Sequence, residues 1–248
     1  LDFGKNPVFK SFRFSAKKDT VSVSREDQAN ILQTVRVYEL EKPIDGKKDY
    51  DCNKMIAHKG KSIVKGTPVY SGSDSLAFNF TEEYGRKFFE ITQEDLSDID
   101  KYMAKIPGIF IEMDEPDVDG GRINMFDVQL DFDQDYYYIV GNYAKLRFSA
   151  EYNGERKDSS FLFYFGAQEF YDVDSLFRTS STGSFPQYAL NLTSHETRDL
   201  QGKAGEEILL EGGGGLKPML SAKMLKSLAE EAIASKGGDP RTAVVNRA

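Results

Sequence analysis

The chain has 248 residues and a formal net charge of −8, with a pI near 5.0. That acidity, with no basic cluster in the sequence, argues against a nucleic-acid partner. A single cysteine, Cys52, excludes an internal disulfide framework, and no apolar run reaches the roughly 18 residues that a membrane-spanning helix needs.

The length suits one large all-β domain or two small ones, with a core sizeable enough to do without disulfides. No internal repeat or clear second domain is evident, so residues 1–248 read as a single domain. Eighteen Phe and thirteen Tyr supply the side chains that strands favour. The chain starts at Leu1 rather than Met and ends on TAVVNRA, so it reads as a fragment or mature form, and a missing signal peptide says little.

In chain order, Val8–Phe14 and Thr20–Ser24 read as two short strands and Ile31–Leu40 as a stronger one. Pro43 stops the third, because proline removes a ladder donor. Residues 45–68 are polar and Gly-rich and read as a long loop. Ser75–Phe80 places Leu76, Phe78 and Phe80 on one strand face. Thr92 and Asp95 form an approximate capping box, and a helix follows with Leu96, Ile99, Tyr102 and Met103 on one stripe.

Residues 106–132 read as strand, Gly-rich turn and returning strand. The turn is Asp117–Gly121, and Phe126, Val128, Leu130 and Phe132 form the core face of the return. From Glu112 to Asp135 nine acids face one base, Arg122, a local −8 that equals the charge of the whole chain. In 144–152, Leu146, Phe148, Ala150 and Tyr152 alternate with Lys145, Arg147, Ser149 and Glu151. Asn153-Gly154 then predicts a two-residue hairpin turn into Ser159–Phe165. Gln187–Thr193 and Glu207–Leu210 read as further strands, and Ser221–Lys236 as an amphipathic helix stopped by Gly237-Gly238. The predicted fold is all-β with minor α: an antiparallel, jelly-roll-like β-sandwich decorated by two short helices.

Several segments, in order, carry a resemblance: TVRVYELEKPI with KKDYDCNK (34–54), IPGIFIE (106–112), LRFSAEY with KDSSFLFYF (146–165), LNLTSHETRD (190–199), GGGGLKPML (212–220) and VVNRA (244–248). Together they resemble a family of Bacteroidota surface lipoproteins known as a domain of unknown function (number 4270). Residues 1–33 match it poorly. The resemblance implies a cell-surface protein held on the extracellular face of the outer membrane by a lipid upstream of Leu1. It implies other outer-membrane surface proteins as partners, and it carries over no catalytic residue.

Candidate sites are sparse. Glu115, Asp117 and Asp119 with Gly120 imitate the start of a calcium loop, so Ca2+ is the one candidate cofactor. However, Phe126 stands where the bidentate carboxylate belongs, and a solvated turn is the simpler reading. Asp127, Asp131 and Asp133 could pair with Glu112 or Asp114 as glycosidase carboxylates, but acids alternating on a strand face are ordinarily solubilising. Neither His58 nor His195 sits in a triad or zinc pattern. Tyr136, Tyr137 and Tyr138 should expose at least one ring, and with Tyr143 and Tyr152 could form a stacking platform for a glycan or protein partner, although aromatics filling the core and edge of the sheet are the simpler reading. With no convincing catalytic set among these residues, the resemblance implies a non-catalytic binding or structural subunit of a surface assembly. The alternatives are a glycan-binding module of a polysaccharide-uptake system and a carboxylate-dependent glycoside hydrolase.

Overall fold

The structure is a computed structural model. It describes residues 2–23, 26–46, 48–115, 122–126, 130–133, 138–164, 189–193 and 221–242, with single residues at 217, 219 and 244; at 20–23, 130–133 and 138–141 it describes the backbone only. The chain divides into two units, Leu1–Tyr50 with Met55–Leu190, and Asp51–Lys54 with Asn191–Ala248.

The larger unit is an antiparallel β-sandwich. Its first sheet is built on β1 (Lys5–Val23), a single strand of 19 residues where the sequence suggested two. The intervening Ala16-Lys17-Lys18-Asp19 is polar but holds no Gly or Pro, so nothing breaks the strand. One side of β1 pairs with β10 (Tyr143–Tyr152), from Lys5↔Glu151 to Ser15↔Tyr143. The other side pairs with β5 (Ser75–Asn79) and, further along, with β7 (Arg122–Phe126). β11 (Glu155–Tyr164) completes the order β11-β10-β1-β5.

The β10–β11 hairpin forms at the predicted turn, with its second strand starting at Glu155 rather than Ser159. Asn153 (φ 53°) and Gly154 (φ 83°) make the two-residue turn, and Ala144, Leu146, Phe148 and Ala150 are buried on one face.

The second sheet centres on β2 (Gln33–Leu40), which pairs with β3 (His58–Ser62), β4 (Val69–Tyr70) and β6 (Ile109–Met113). β3 and β4 occupy or adjoin the stretch expected to be a loop, and that stretch also buries Ile63 and Val64. β8 (Leu130–Asp133) and β9 (Tyr138–Gly141) form a separate two-stranded ladder.

The predicted 106–132 hairpin is therefore corrected. β6 pairs with β2 and β7 with the end of β1, so the acidic stretch passes from one sheet to the other. A Gly-rich turn signals a bend but does not select the returning strand's partner. The expected core strand is also divided. Phe126 packs on Tyr70 at 5.4 Å, whereas Leu130 and Phe132 belong to the separate ladder.

Between the two sheets lies an aromatic core. Phe12 contacts Phe80 (4.8 Å) and Phe88 (4.9 Å), and Phe14 stacks on Phe78 (4.6 Å). Each such pair contributes about 0.5–1.5 kcal/mol beyond its buried area. Val35 and Val37 of β2 close the core from the other side.

Three α-helices are present among the described residues, one more than predicted. α1 (Glu82–Arg86) follows β5 directly and is capped by Thr81. The capping box forms as expected: Thr92 N–H donates to Asp95 Oδ2 (2.7 Å) and Asp95 N–H to Thr92 Oγ1 (3.2 Å). The turn that it opens ends at Ser97, however. Asp98 then takes an extended backbone and caps a new helix, α2 (Ile99–Lys105), accepting from Asp100 N–H at 2.8 Å. A short acid at a helix start competes for backbone amides, which explains the break.

The smaller unit contains α3 (Ala222–Ser235). Ser221 caps it through a bond from Met224 N–H (3.0 Å), and Gly237 (φ 77°) stops it. Thr193 N–H donates to Cys52 O in the same unit (2.8 Å). Residues 189–193 form no strand, and Glu207–Leu210 lie outside the described residues. No helix among the described residues is long and apolar enough to cross a membrane.

Candidate functional site

The outward face of the first sheet gathers basic side chains. Period-two alternation buries Phe12, Phe14 and Ala16 of β1 and turns Ser11, Arg13, Ser15 and Lys17 outward. On β10 the same alternation turns out Tyr143, Lys145 and Arg147. The register then builds rows across the strands. Arg13 lies directly opposite Lys145, and Ser11 opposite Arg147. Lys145 meets Leu162 of β11, and Arg147 meets Ser160. Strands about 5 Å apart and steps of about 7 Å per two residues place Arg13, Lys145 and Arg147 within one Debye length of each other.

Like charges directly opposite on a sheet are destabilising, so this register carries a cost. Two acids on the face, Asp158 and Glu151, are already engaged by Lys10 and Arg156. Arg13, Lys17, Lys145 and Arg147 form no ion pair among the described residues. A shallow cleft of about 310 Å³ lies among Lys10, Lys145, Arg147, Asp158, Ser159 and Ser160. In the adjoining row Tyr143 faces Tyr164, with ring centroids 5.8 Å apart and Tyr143 38% exposed.

A second cluster surrounds Glu39. Its parity on β2 is that of Val35 and Val37, so the carboxylate turns inward and is only 3% exposed. Lys87 Nζ donates to Oε1 at 2.7 Å and Lys59 Nζ to Oε2 at 2.9 Å. Burial pushes the Glu39 pKa up, but the two ammonium groups outweigh it and hold the carboxyl below its ordinary value. The carboxylate thus serves as the counter-ion of two lysines. A cleft of about 190 Å³ opens beside it, lined also by Lys61, Thr81 and Tyr84.

Arg122, the lone base of the acidic stretch, is buried at 6% exposure. Its guanidinium donates to Asn124 Oδ1 (2.6 Å), Ala29 O (2.7 Å), Ile31 O (3.1 Å) and Gln33 Oε1 (3.1 Å), and lies 5.2 Å over the Tyr70 ring. It thus ties β7 to β2 and to the segment before β2. No carboxylate partners it among the described residues, and burial lowers its pKa.

The residues singled out from sequence fare differently. Tyr136 and Tyr137 lie outside the described residues, as do Asp117 and Asp119; Tyr138 is described by its backbone alone, in β9. Glu115 is exposed. Among the described residues no three His, Cys, Asp or Glu side chains gather to hold a metal. Of the acids weighed for catalysis, Asp114 forms a bidentate pair with Arg36 (2.6 and 2.8 Å), which lowers its pKa. Asp127 lies outside the described residues, and Asp131 and Asp133 are described by backbone alone. His58 stacks on Tyr38 (4.4 Å) and Phe110 (4.9 Å). His195 lies outside the described residues.

Lys145 and Arg147 were legible as outward residues of a hairpin, but their convergence with Arg13 and Lys17 depends on the pairing of β1 with β10. The one local signal was the repeated alternation of bases with apolar residues in FKSFRF and AKLRF. No family model matches the chain, no curated protein does, and no solved structure does.

Proposed function

We propose that this chain is a non-catalytic cell-surface outer-membrane lipoprotein, acting as a structural or binding subunit of a larger surface assembly and held at the extracellular face by a lipid upstream of Leu1. The observation that carries the binding role is the outward face of the first sheet. Four cations without a carboxylate partner among the described residues, two of them opposed in register, are a surface that an anionic partner would neutralise. The surface location and the lipid rest on the ordered resemblance at 34–54, 106–112 and 146–165. A glycan-binding module is the second reading, favoured by the Tyr143–Tyr164 ring pair beside the cations.

The test is purification of the tagged chain from solubilised native outer membranes. The reading expects other surface components to co-purify and a Lys145→Glu, Arg147→Glu double variant to lose them. Recovery of the wild-type chain alone, or retention of the same components by the variant, sinks it.

A further inference from the structure

We propose that the outward face of the first sheet binds an acidic polysaccharide, a chain of sugars bearing carboxylate or sulfate groups. This rests on reading that face as a binding surface and names its ligand class. Arg13, Lys145 and Arg147 converge from two strands that are distant in sequence but adjacent in register. None of the three forms an ion pair among the described residues, and lysine and arginine heads are the ordinary receivers of carboxylate and sulfate oxygens.

Short neutral side chains stand between the cations. Asn79 flanks Arg13 in its row, and Ser160 flanks Arg147. Such groups donate to and accept from sugar hydroxyls without blocking approach to a flat sheet. One row further, the Tyr143 and Tyr164 rings offer apolar faces for sugar C–H bonds. Charge, small polar groups and aromatic rings therefore succeed one another along a single face, an order that suits a ligand repeating the same functional groups along its length.

An acidic protein surface fits less well. Protein interfaces draw their affinity from a desolvated apolar centre, whereas the centre of this face is charged and its exposed apolar side chains, Val8, Tyr143 and Leu162, stand around the cations rather than together. A duplex nucleic acid keeps its bases stacked and offers no ring face to Tyr143 and Tyr164, so it would engage the cations alone.

The experiment is affinity electrophoresis of the full chain through gels containing polygalacturonate, dextran sulfate or neutral dextran. Polyglutamate and duplex DNA serve as anionic controls that are not sugars. Retardation is expected with the first two and not with dextran, weakening by on the order of tenfold or more from 50 to 200 mM salt. An Arg13→Gln, Lys145→Gln, Arg147→Gln variant is expected to lose the retardation with its melting temperature undiminished, since the substitutions relieve repulsion. Tyr143→Ala is expected to weaken binding to the polysaccharides more than to polyglutamate.

Equal retardation by polyglutamate or DNA overturns the ligand class, as does equal mobility of the triple variant and the wild type on polygalacturonate. The binding-surface reading is separable. If no polysaccharide is bound but the triple variant loses its membrane co-purification partners, the polysaccharide falls and the surface stands. If the variant keeps those partners, the surface falls too.

Discussion

Glu39 and Arg122 meet the cost of burial in opposite ways. Glu39 recruits two lysines, whereas Arg122 spends its donors on carbonyl and amide oxygens. Replacing Arg122 by Met strands the carbonyls of Ala29 and Ile31, which is expected to cost about 1–3 kcal/mol, read as a lower denaturant midpoint. Glu39 has a folded pKa below its ordinary value of 4.5. Its contribution is therefore complete above the unfolded carboxylate range and is lost as pH falls through the depressed folded value. Glu39→Gln is expected to lower stability at neutral pH by about 2 kcal/mol and to flatten the fall of stability towards acid, measured by urea unfolding across pH 2–6. Asp95, held by Lys105 and Thr92, has its pKa lowered to about 2. Its carboxyl resonance should still be that of the ionised form well below pH 4 in an NMR titration. The roles of Glu39 and Arg122 are not visible in sequence. Glu39 sits in a strand whose alternation predicts an apolar side chain there, and Arg122 looks like one base in a run of acids.

At the level of elements, what is local was legible and what is long-range was not. The Asn153-Gly154 turn, the Thr92–Asp95 box and the Ser221 cap each depend on residues a few positions apart, and each forms. The assignment of 109–113 and 122–126 to different sheets depends on partners at 33–40 and 5–23, for which neighbouring residues give no sign. α1 shows the same division. Helix propensity favours Ala over Gly by about 1 kcal/mol, yet a Cβ on Gly85 would stand 2.3 Å from Phe9 Cε2. Gly85→Ala is therefore expected to destabilise the protein despite its propensity, since the Phe9 ring must move. Gly154→Ala meets nothing within 4 Å, so its cost is that of the left-handed backbone alone, about 1 kcal/mol. The two melting curves, compared, separate a packing cost from a conformational one.

Across the whole molecule charge is sorted rather than mixed. The acids dominate 112–135, and bases without an ion-pair partner among the described residues collect on the first sheet's outer face, so the net −8 conceals a cationic surface. The acids are legible in sequence because they lie close together along the chain, while the bases converge only once β1 lies against β10. A stability measurement separates use from architecture here. Lys145→Glu sets opposite charges across from Arg13, which is expected to stabilise the fold by about 0.2–1 kcal/mol while weakening capture of an anionic partner. A variant that gains stability and keeps full binding would contradict the role given to this face. The long first strand also sets a timetable for folding. Ser15 and Tyr143, opposite each other in β1 and β10, are 128 residues apart in sequence (143 − 15), and so distant a closure makes spontaneous refolding slow. In refolding from urea followed by pulsed hydrogen exchange, the local Tyr143–Tyr152 and Glu155–Tyr164 hairpin should gain protection before residues 5–15.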